Sequence, residues 1–189
     1  MKYQNILLVA ALVLIGSFAN AGIMIEPYVG YLAGKWNCDA CSPQSSATTS
    51  GAIYGGRLGY SLLGLGFGVD YLGGSFTDSY SGQKDTYKPK DIGAFVSFDF
   101  PILLRVFASY FPSITWDMVT TGNNAGNWTA SGNGLRVGVG FKFLPLLSVN
   151  VEYLADQFNK TVSAGQTSTF SPPTKYNLYG VSVSLPLSF

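Results

Sequence analysis

The sequence predicts an all-β fold: an eight-stranded antiparallel up-and-down transmembrane β-barrel. Three observations predict it. Charged residues make up only 11% of the chain, against roughly 25% in soluble domains. Apolar and polar residues alternate in eight segments, each close to the length of about 9–11 residues with which a tilted strand crosses a bilayer. Beyond the first 21 residues, no apolar run approaches the roughly 20 residues of a membrane-spanning helix.

The N-terminal residues have the composition of a secretory signal. Met1-Lys2 precedes an apolar run at 6–15 and an Ala19-Asn20-Ala21 ending, the pattern of a cleaved signal peptide. We therefore predict a signal peptide at 1–21 and a barrel domain at 22–189. Loss of Lys2 leaves ten basic and ten acidic residues, since the full chain has 11 and 10. No basic excess remains to suggest a nucleic-acid partner.

The predicted strands share a period of two, with apolar residues on one face and small or polar residues on the other. The segment at 91–100 is the most regular, while the segment at 23–35 carries Met24, Tyr28 and Leu32 on its second face. The final segment alternates up to Phe189, its last residue. The predicted strands are 23–35, 52–62, 65–74, 91–100, 103–111, 134–143, 147–156 and 176–189.

The connections between these segments alternate in length. Two to four residues join the second to the third, the fourth to the fifth and the sixth to the seventh strand, around Leu63-Gly64, Pro101-Ile102 and Leu144-Pro145. Roughly 15 to 22 residues, rich in Ser, Thr, Gly, Asn and Asp, form the other connections. Short periplasmic turns and long extracellular loops are typical of outer-membrane barrels.

Aromatic residues on the apolar faces sort by height when the strands are threaded alternately up and down. Two aromatic rows are typical of the interfacial girdles of membrane barrels, and a soluble β-sandwich, the alternative fold, gives no reason for them. The upper row contains Tyr31, Tyr54, Tyr71, Tyr110, Tyr153 and Tyr179, and the lower row contains Tyr60, Phe98, Phe100, Phe141, Phe143 and Phe189.

The terminal strand with its final Phe189 resembles the ending of bacterial outer-membrane β-barrels. The chain from 22 to 189 resembles the OmpA/OmpX-type family of small eight-stranded barrels, with the OmpW type as the next relative. The resemblance implies the outer membrane of a Gram-negative bacterium, contact with its lipid and lipopolysaccharide, and delivery by periplasmic chaperones to the barrel-assembly machinery. Tyr179, Leu187 and Phe189 would form the assembly signal.

Charges within the predicted strands fall on the non-lipid face. The register of the short hairpins places Arg57 opposite Asp70 and Asp99 opposite Arg105, and it places Arg136 diagonal to Glu152. Because unpaired buried charges are costly, we expect pairing throughout the interior. The predicted interior charge network contains Glu26, Arg57, Asp70, Asp91, Asp99, Arg105, Arg136, Lys142, Glu152 and Asp156.

Two interpretations of this interior are open. An eight-stranded barrel is just wide enough for its side chains to fill, so the pairs would form a plug. Alternatively, inward glycines and the inward apolar residues Leu32, Phe95, Phe107 and Leu154 would line a narrow path for protons, ions or small solutes.

The sequence offers little for catalysis or cofactor binding. The chain has no His, and the known enzymes built on outer-membrane barrels resemble one another in using one. Cys38 and Cys41 are the two cysteines, and in an oxidising periplasm they favour a loop disulfide. A zinc site would need two further ligands. We therefore expect no enzyme, no cofactor and no metal.

The preferred function is a non-enzymatic barrel with a filled, charge-paired interior that acts in envelope structure or in surface interaction. Its loops would display Tyr80, Tyr87, Trp116, Trp128 and Phe170. An extracellular ligand or a host or prey surface would then be the partner. The alternative function is a narrow passive channel for small or apolar solutes.

Overall fold

The computed structural model describes residues 21–38, 45–80, 83–119, 128–144, 146–163 and 165–189. The first twenty residues of the predicted signal peptide lie outside these ranges, so its cleavage stays a prediction. Among the described residues, no helix is long and apolar enough to cross a membrane.

Eight long antiparallel strands close into a ring, which confirms the predicted fold. Each strand pairs with the next along the chain, and the first strand pairs with both the second and the eighth. A two-residue ninth strand continues the eighth and also pairs with the first. The strands are β1 (Gly22–Cys38), β2 (Ser45–Leu62), β3 (Leu65–Tyr80), β4 (Gln83–Asp99), β5 (Leu104–Val119), β6 (Trp128–Leu144), β7 (Leu147–Ser163), β8 (Gln166–Ser184) and β9 (Leu187–Ser188).

The lower end of the barrel is the end at which the short turns lie. Leu63 and Gly64 join β2 to β3, both with positive φ, as a two-residue turn of type I′ requires. The upper end is the opposite one, where Cys38 at the end of β1 pairs with Ser45 at the start of β2. There the strands continue well beyond the predicted bounds, because residues that are no longer in contact with lipid still pair as hydrogen-bonded ladders. In β5, for example, pairing extends to Val119.

The outward face carries an apolar band between the two aromatic rows. Val29 and Val151 in this band are 61% and 66% exposed, as side chains that face lipid must be. Tyr31 and Tyr179 of the upper row face outward as well, and so does Phe189 of the lower row. The six tyrosines of the upper row are called the tyrosine row below.

The inward face divides into two layers. The lower layer is polar and contains the three buried arginines together with Glu26, Asp70 and Glu152. The upper layer is an apolar cluster that includes Leu32, Leu72, Phe76 and Trp116. Since these side chains fill the ring, the barrel has a core like that of a soluble domain.

Candidate functional site

The interior ion pairs form a connected network, with Glu26 at its centre. Its carboxylate lies 3.2 Å from Arg57 Nη1 and 2.7 Å from Arg105 Nη2. The three side chains come from β1, β2 and β5, and none is more than 1% exposed. Glu26 therefore bridges the barrel lumen and joins strands that are not neighbours.

Asp70 is the second centre of the network. Its Oδ2 lies 3.1 Å from Arg57 Nε and 3.8 Å from Arg136 Nη1. The Ser109 hydroxyl donates to the same oxygen at 2.5 Å, and the Tyr28 hydroxyl lies 2.9 Å from Oδ1. These contacts satisfy the buried carboxylate from several strands, which a buried charge needs if it is not to destabilise the fold.

The network continues to both sides of these centres. Arg136 contacts Glu152 at 2.6 Å, and the Ser182 hydroxyl also donates to Glu152. Toward the lower end, Asp99 lies 3.4 Å from Arg105 and 2.6 Å from Lys142. This last pair is partly exposed, so the network reaches solvent at the lower end.

The hairpin register places the three predicted pairs as the sequence indicated. Arg57 lies opposite Asp70, and Asp99 lies opposite Arg105. Glu152 lies opposite Gly138, two residues from Arg136, and is therefore diagonal to it. Sequence reasoning missed both arginine contacts of Glu26. Arg57 is its direct partner in the β1–β2 ladder, but the long connection between these strands leaves their register open in the sequence. Arg105 contacts Glu26 across the lumen, and that contact depends on barrel closure.

Asp91 and Asp156 correct the prediction that all interior charges pair. Both are buried, and neither forms an ion pair among the described residues. Asp91 Oδ1 accepts a hydrogen bond from the backbone N of Thr115 at 3.3 Å, whereas both carboxylate oxygens of Asp156 lack a hydrogen-bond partner within the described ranges. The basic residue nearest to Asp91 in the sequence is Lys90. It faces outward because neighbouring residues of a strand point to opposite faces.

Aromatic rings occupy the space that side chains would fill at some inward glycine positions. A Cβ at Gly138 would lie 2.4 Å from the Phe107 ring, and that ring lies 3.8 Å from the Arg57 guanidinium. Arg136 lies over the Tyr28 ring at 4.2 Å. The glycines thus allow arginine–aromatic stacking, which favours the plug over the water path.

The apolar layer above the network is fully packed. Leu32, Leu72, Phe111, Leu154 and Leu178 are all 0% exposed. Of the inward apolar residues that the sequence offered as channel walls, Leu32 and Leu154 lie in this layer. Phe95 and Phe107 lie lower, against the Arg57 guanidinium.

A cavity of about 360 Å³, called the cup below, lies at the upper end. Tyr87, Trp116 and Trp128 contribute to its wall, which corrects the prediction that extracellular loops display them. They belong to strands and point into the barrel, and Trp116 is only 1% exposed. The side chains of Tyr80 and Phe170, the other two predicted loop aromatics, lie outside the described part. The residues that line the cup are Trp36, Cys38, Tyr87, Trp116, Trp128, Ala130, Phe158, Thr161, Thr174 and Tyr176.

A second cavity, of about 530 Å³, opens at the lower end of the barrel. Asp99, Lys142 and Met24 lie in its wall together with residues of the short turns. The two cavities are therefore separated by the ion-pair network and the apolar layer.

The pKa values of two carboxyl groups outside the membrane band are shifted by their surroundings. Burial raises the pKa of the Asp78 carboxyl, and hydrogen bonds from Thr49 and Tyr176 act in the opposite direction. On the outward surface, the Lys90 ammonium lies 2.8 Å from Asp117 and lowers the pKa of that carboxyl.

The remaining predicted sites are placed only in part. Cys38 is buried at the end of β1 and is not a free thiol, whereas Cys41 lies outside the described residues, so their pairing stays a prediction. Tyr179 and Phe189 are exposed on the outward face, and their role in assembly, together with Leu187, stays a prediction. Within the described residues, no group of His, Cys, Asp and Glu could hold a metal ion.

Comparison with known proteins shows similarity of fold. No protein-family model and no curated protein sequence matches the chain. Among solved structures, the Neisserial surface protein A superimposes with a TM-score of 0.51 and 15% identity, over 87% of this chain and 97% of that one. The attachment invasion locus protein Ail of Yersinia pestis was solved with the heparin analogue sucrose octasulfate. It superimposes with a TM-score of 0.52 and 9% identity, over 89% of this chain and 99% of that one.

OprG from Pseudomonas aeruginosa gives a TM-score of 0.50 and 8% identity, over 90% of this chain and 98% of that one. At these identities the similarity concerns the fold, and the similar chains are covered almost completely. The chain therefore has the fold of the small eight-stranded outer-membrane β-barrels, as its resemblance to the OmpA/OmpX-type family implied.

Proposed function

We propose that this chain is a non-enzymatic barrel of a Gram-negative outer membrane, closed to solutes, that acts in envelope structure or surface interaction at its upper end. The observation that carries the proposal is the filled lumen. Four carboxylates and four cationic side chains join in one network, and an apolar layer lies above them. The network consists of Glu26, Asp70, Asp99, Glu152, Arg57, Arg105, Arg136 and Lys142.

Lysines on the outward surface support a partner at the upper end. All of them lie beyond the tyrosine row, at the height where lipid headgroups meet water, and Asp117 is the only acidic residue on the outward face of the described part. This set, the lysine collar, suits the phosphate groups of lipopolysaccharide, since each basic residue near an anionic surface adds attraction. The collar consists of Lys35, Lys84, Lys88, Lys90, Lys160 and Lys175.

We expect the triple substitution of Lys35, Lys88 and Lys160 by Gln to weaken binding to lipopolysaccharide by at least about tenfold at low salt. The physical reason is the loss of three positive charges at the headgroup level. Binding of the refolded protein is measured with lipopolysaccharide and with its dephosphorylated form as the control. If both proteins bind both forms equally, the collar does not recognise phosphate.

Conductance in a planar bilayer tests closure. We expect the refolded barrel to give no discrete steps above background, because Leu72, Phe111 and Leu178 seal the lumen above the ion pairs. Arg57→Ala should also stay closed, since it leaves this apolar layer intact. Heat-modifiable gel mobility verifies that each protein is folded before it is added to the bilayer.

A narrow passive channel is the second candidate function. The observation that favours it is the presence of a cavity at each end of the barrel, lined by Trp116 in one case and by Lys142 in the other. Discrete steps in the wild-type protein that grow in Arg57→Ala would make the network a gate and would overturn the closed barrel.

A further inference from the structure

The cup at the upper end has the features of a ligand site. Pockets that take small molecules have volumes of about 300–1,000 Å³ and mostly apolar walls, and the cup, at about 360 Å³, lies at the small end of this range. Its aromatic rings come from different strands, so barrel closure holds them in place. These rings belong to Trp36, Tyr87, Trp116, Trp128, Phe158 and Tyr176.

The rings contact one another and form a continuous wall. The ring centroid of Trp116 lies 4.7 Å from that of Tyr176 and 5.1 Å from that of Phe158. Tyr87 lies 5.9 Å from Trp128, and Trp36 lies 6.4 Å from Tyr176. Aromatic rings carry negative faces, which attract cations and bind quaternary ammonium groups in particular.

Buried carboxylates stand around the cup. Asp78 accepts a hydrogen bond from the Tyr176 hydroxyl at 2.8 Å, directly behind the wall. Asp156 lies opposite Tyr176 in the β7–β8 ladder, 1% exposed and without a hydrogen-bond partner in the described part. The described residues that line the cup include no Lys or Arg, and the basic side chains at this height belong to the outward lysine collar. The described side chains around the cup are therefore acidic or neutral, and none is basic.

We propose that the cup binds a small organic cation of the alkylammonium class, with its alkyl groups against the aromatic wall. The ring faces and the nearby carboxylates both attract positive charge. The cup therefore favours a ligand that is cationic and has an apolar surface. A neutral sugar or an apolar solute would use the rings but gain nothing from Asp78. The site does not depend on whether the barrel conducts.

The test compares choline with 3,3-dimethylbutan-1-ol, a neutral molecule of nearly the same shape. The mature protein is folded in an uncharged maltoside detergent, because zwitterionic and amine-oxide detergents would compete. Calorimetry gives the affinity, and intrinsic fluorescence gives the location, since all three tryptophans of the chain line the cup. We expect saturable binding of choline with a fluorescence change, and binding of the alcohol at least about tenfold weaker.

Three variants separate the role of the cup from that of overall charge. Asp78→Asn should weaken choline binding by about tenfold while leaving the alcohol unaffected. Asp117→Asn removes the same charge from the outward surface at the same end and should leave both affinities unchanged. Trp128→Leu, at the edge of the cup, should weaken choline binding without unfolding the barrel, which heat-modifiable gel mobility verifies.

Several results would overturn the proposal. These are equal affinity for choline and the alcohol, no binding of choline, binding without a change in tryptophan fluorescence, and an Asp78→Asn protein that binds choline as the wild type does. Equal affinity would identify the cup as a site for neutral solutes.

Discussion

Arg57→Met is expected to lower the free energy of unfolding by about 3–5 kcal/mol, because breaking a buried ion pair leaves uncompensated charge. Arg57 contacts both Glu26 and Asp70 at 3.1–3.2 Å and is 1% exposed. Without it, Arg105 would face Glu26, and Arg136, at 3.8 Å, would be the only cation near Asp70 among the described residues. The measurement is urea unfolding in lipid vesicles, followed by tryptophan fluorescence.

The control for this variant is Lys90→Met, which removes an exposed basic residue that is paired with Asp117. Exposed pairs contribute little, so its unfolding curve should overlay that of the wild type. The double variant Arg57→Met/Glu26→Gln restores the charge balance and should recover part of the loss. If the double variant is less stable than Arg57→Met, individual contacts, and not the balance of buried charge, determine the free energy of unfolding.

The sequence was sufficient for the parts of this barrel that depend on local periodicity. The period of two identified the lipid-facing side of each strand, including Val29 and Val151. A two-residue turn at Leu63-Gly64 fixes one hairpin register, and Arg57 then must lie opposite Asp70. These relations need only neighbouring strands, so no knowledge of the closed ring was required.

Contacts across the lumen could not be predicted in the same way. Glu26 meets Arg105 only after β1 and β5 are brought together by closure, and the relative height of distant strands depends on how all the hairpins stagger. Asp91 shows the opposite error. It was expected to pair like the other interior charges, but it forms no ion pair among the described residues, and alternation directs its neighbour Lys90 to the outward collar.

The upper parts of the strands were missed because their apolar residues face the lumen, whereas those in the membrane band face lipid. Within the membrane band of β5, Val106 and Tyr110 point outward to lipid. Above it, after a register shift between Phe111 and Ile114, the apolar side chains of Ile114 and Trp116 point inward. The outward surface there meets water, so a rule that assigns apolar residues to lipid fails beyond the tyrosine row. A period of two was still present and was the signal that could have found this layer.

This inward layer supplies the second large effect, since Trp116→Ala is expected to lower the free energy of unfolding by about 3–5 kcal/mol. Trp116 is 1% exposed. Its ring stacks on Phe76 with a centroid distance of 4.9 Å and also contacts Phe158 and Tyr176. Truncation would leave a cavity in this layer. The surrounding residues are held in place by the closed ring of strands and cannot move to fill the cavity. Urea unfolding in vesicles, with the two remaining tryptophans as the probe, measures the loss.

Trp128→Ala provides the matched control, because it also removes one of three tryptophans from the cup wall. Trp128 is only partly buried and contacts Tyr87 at 5.9 Å, so its truncation should cost clearly less than that of Trp116. If the two variants lost the same free energy, the inner layer would contribute no more than the rim. Stability would then come from the ladder and the lower ion pairs, and the upper strands would serve mainly to hold the aromatic wall of the cup in place.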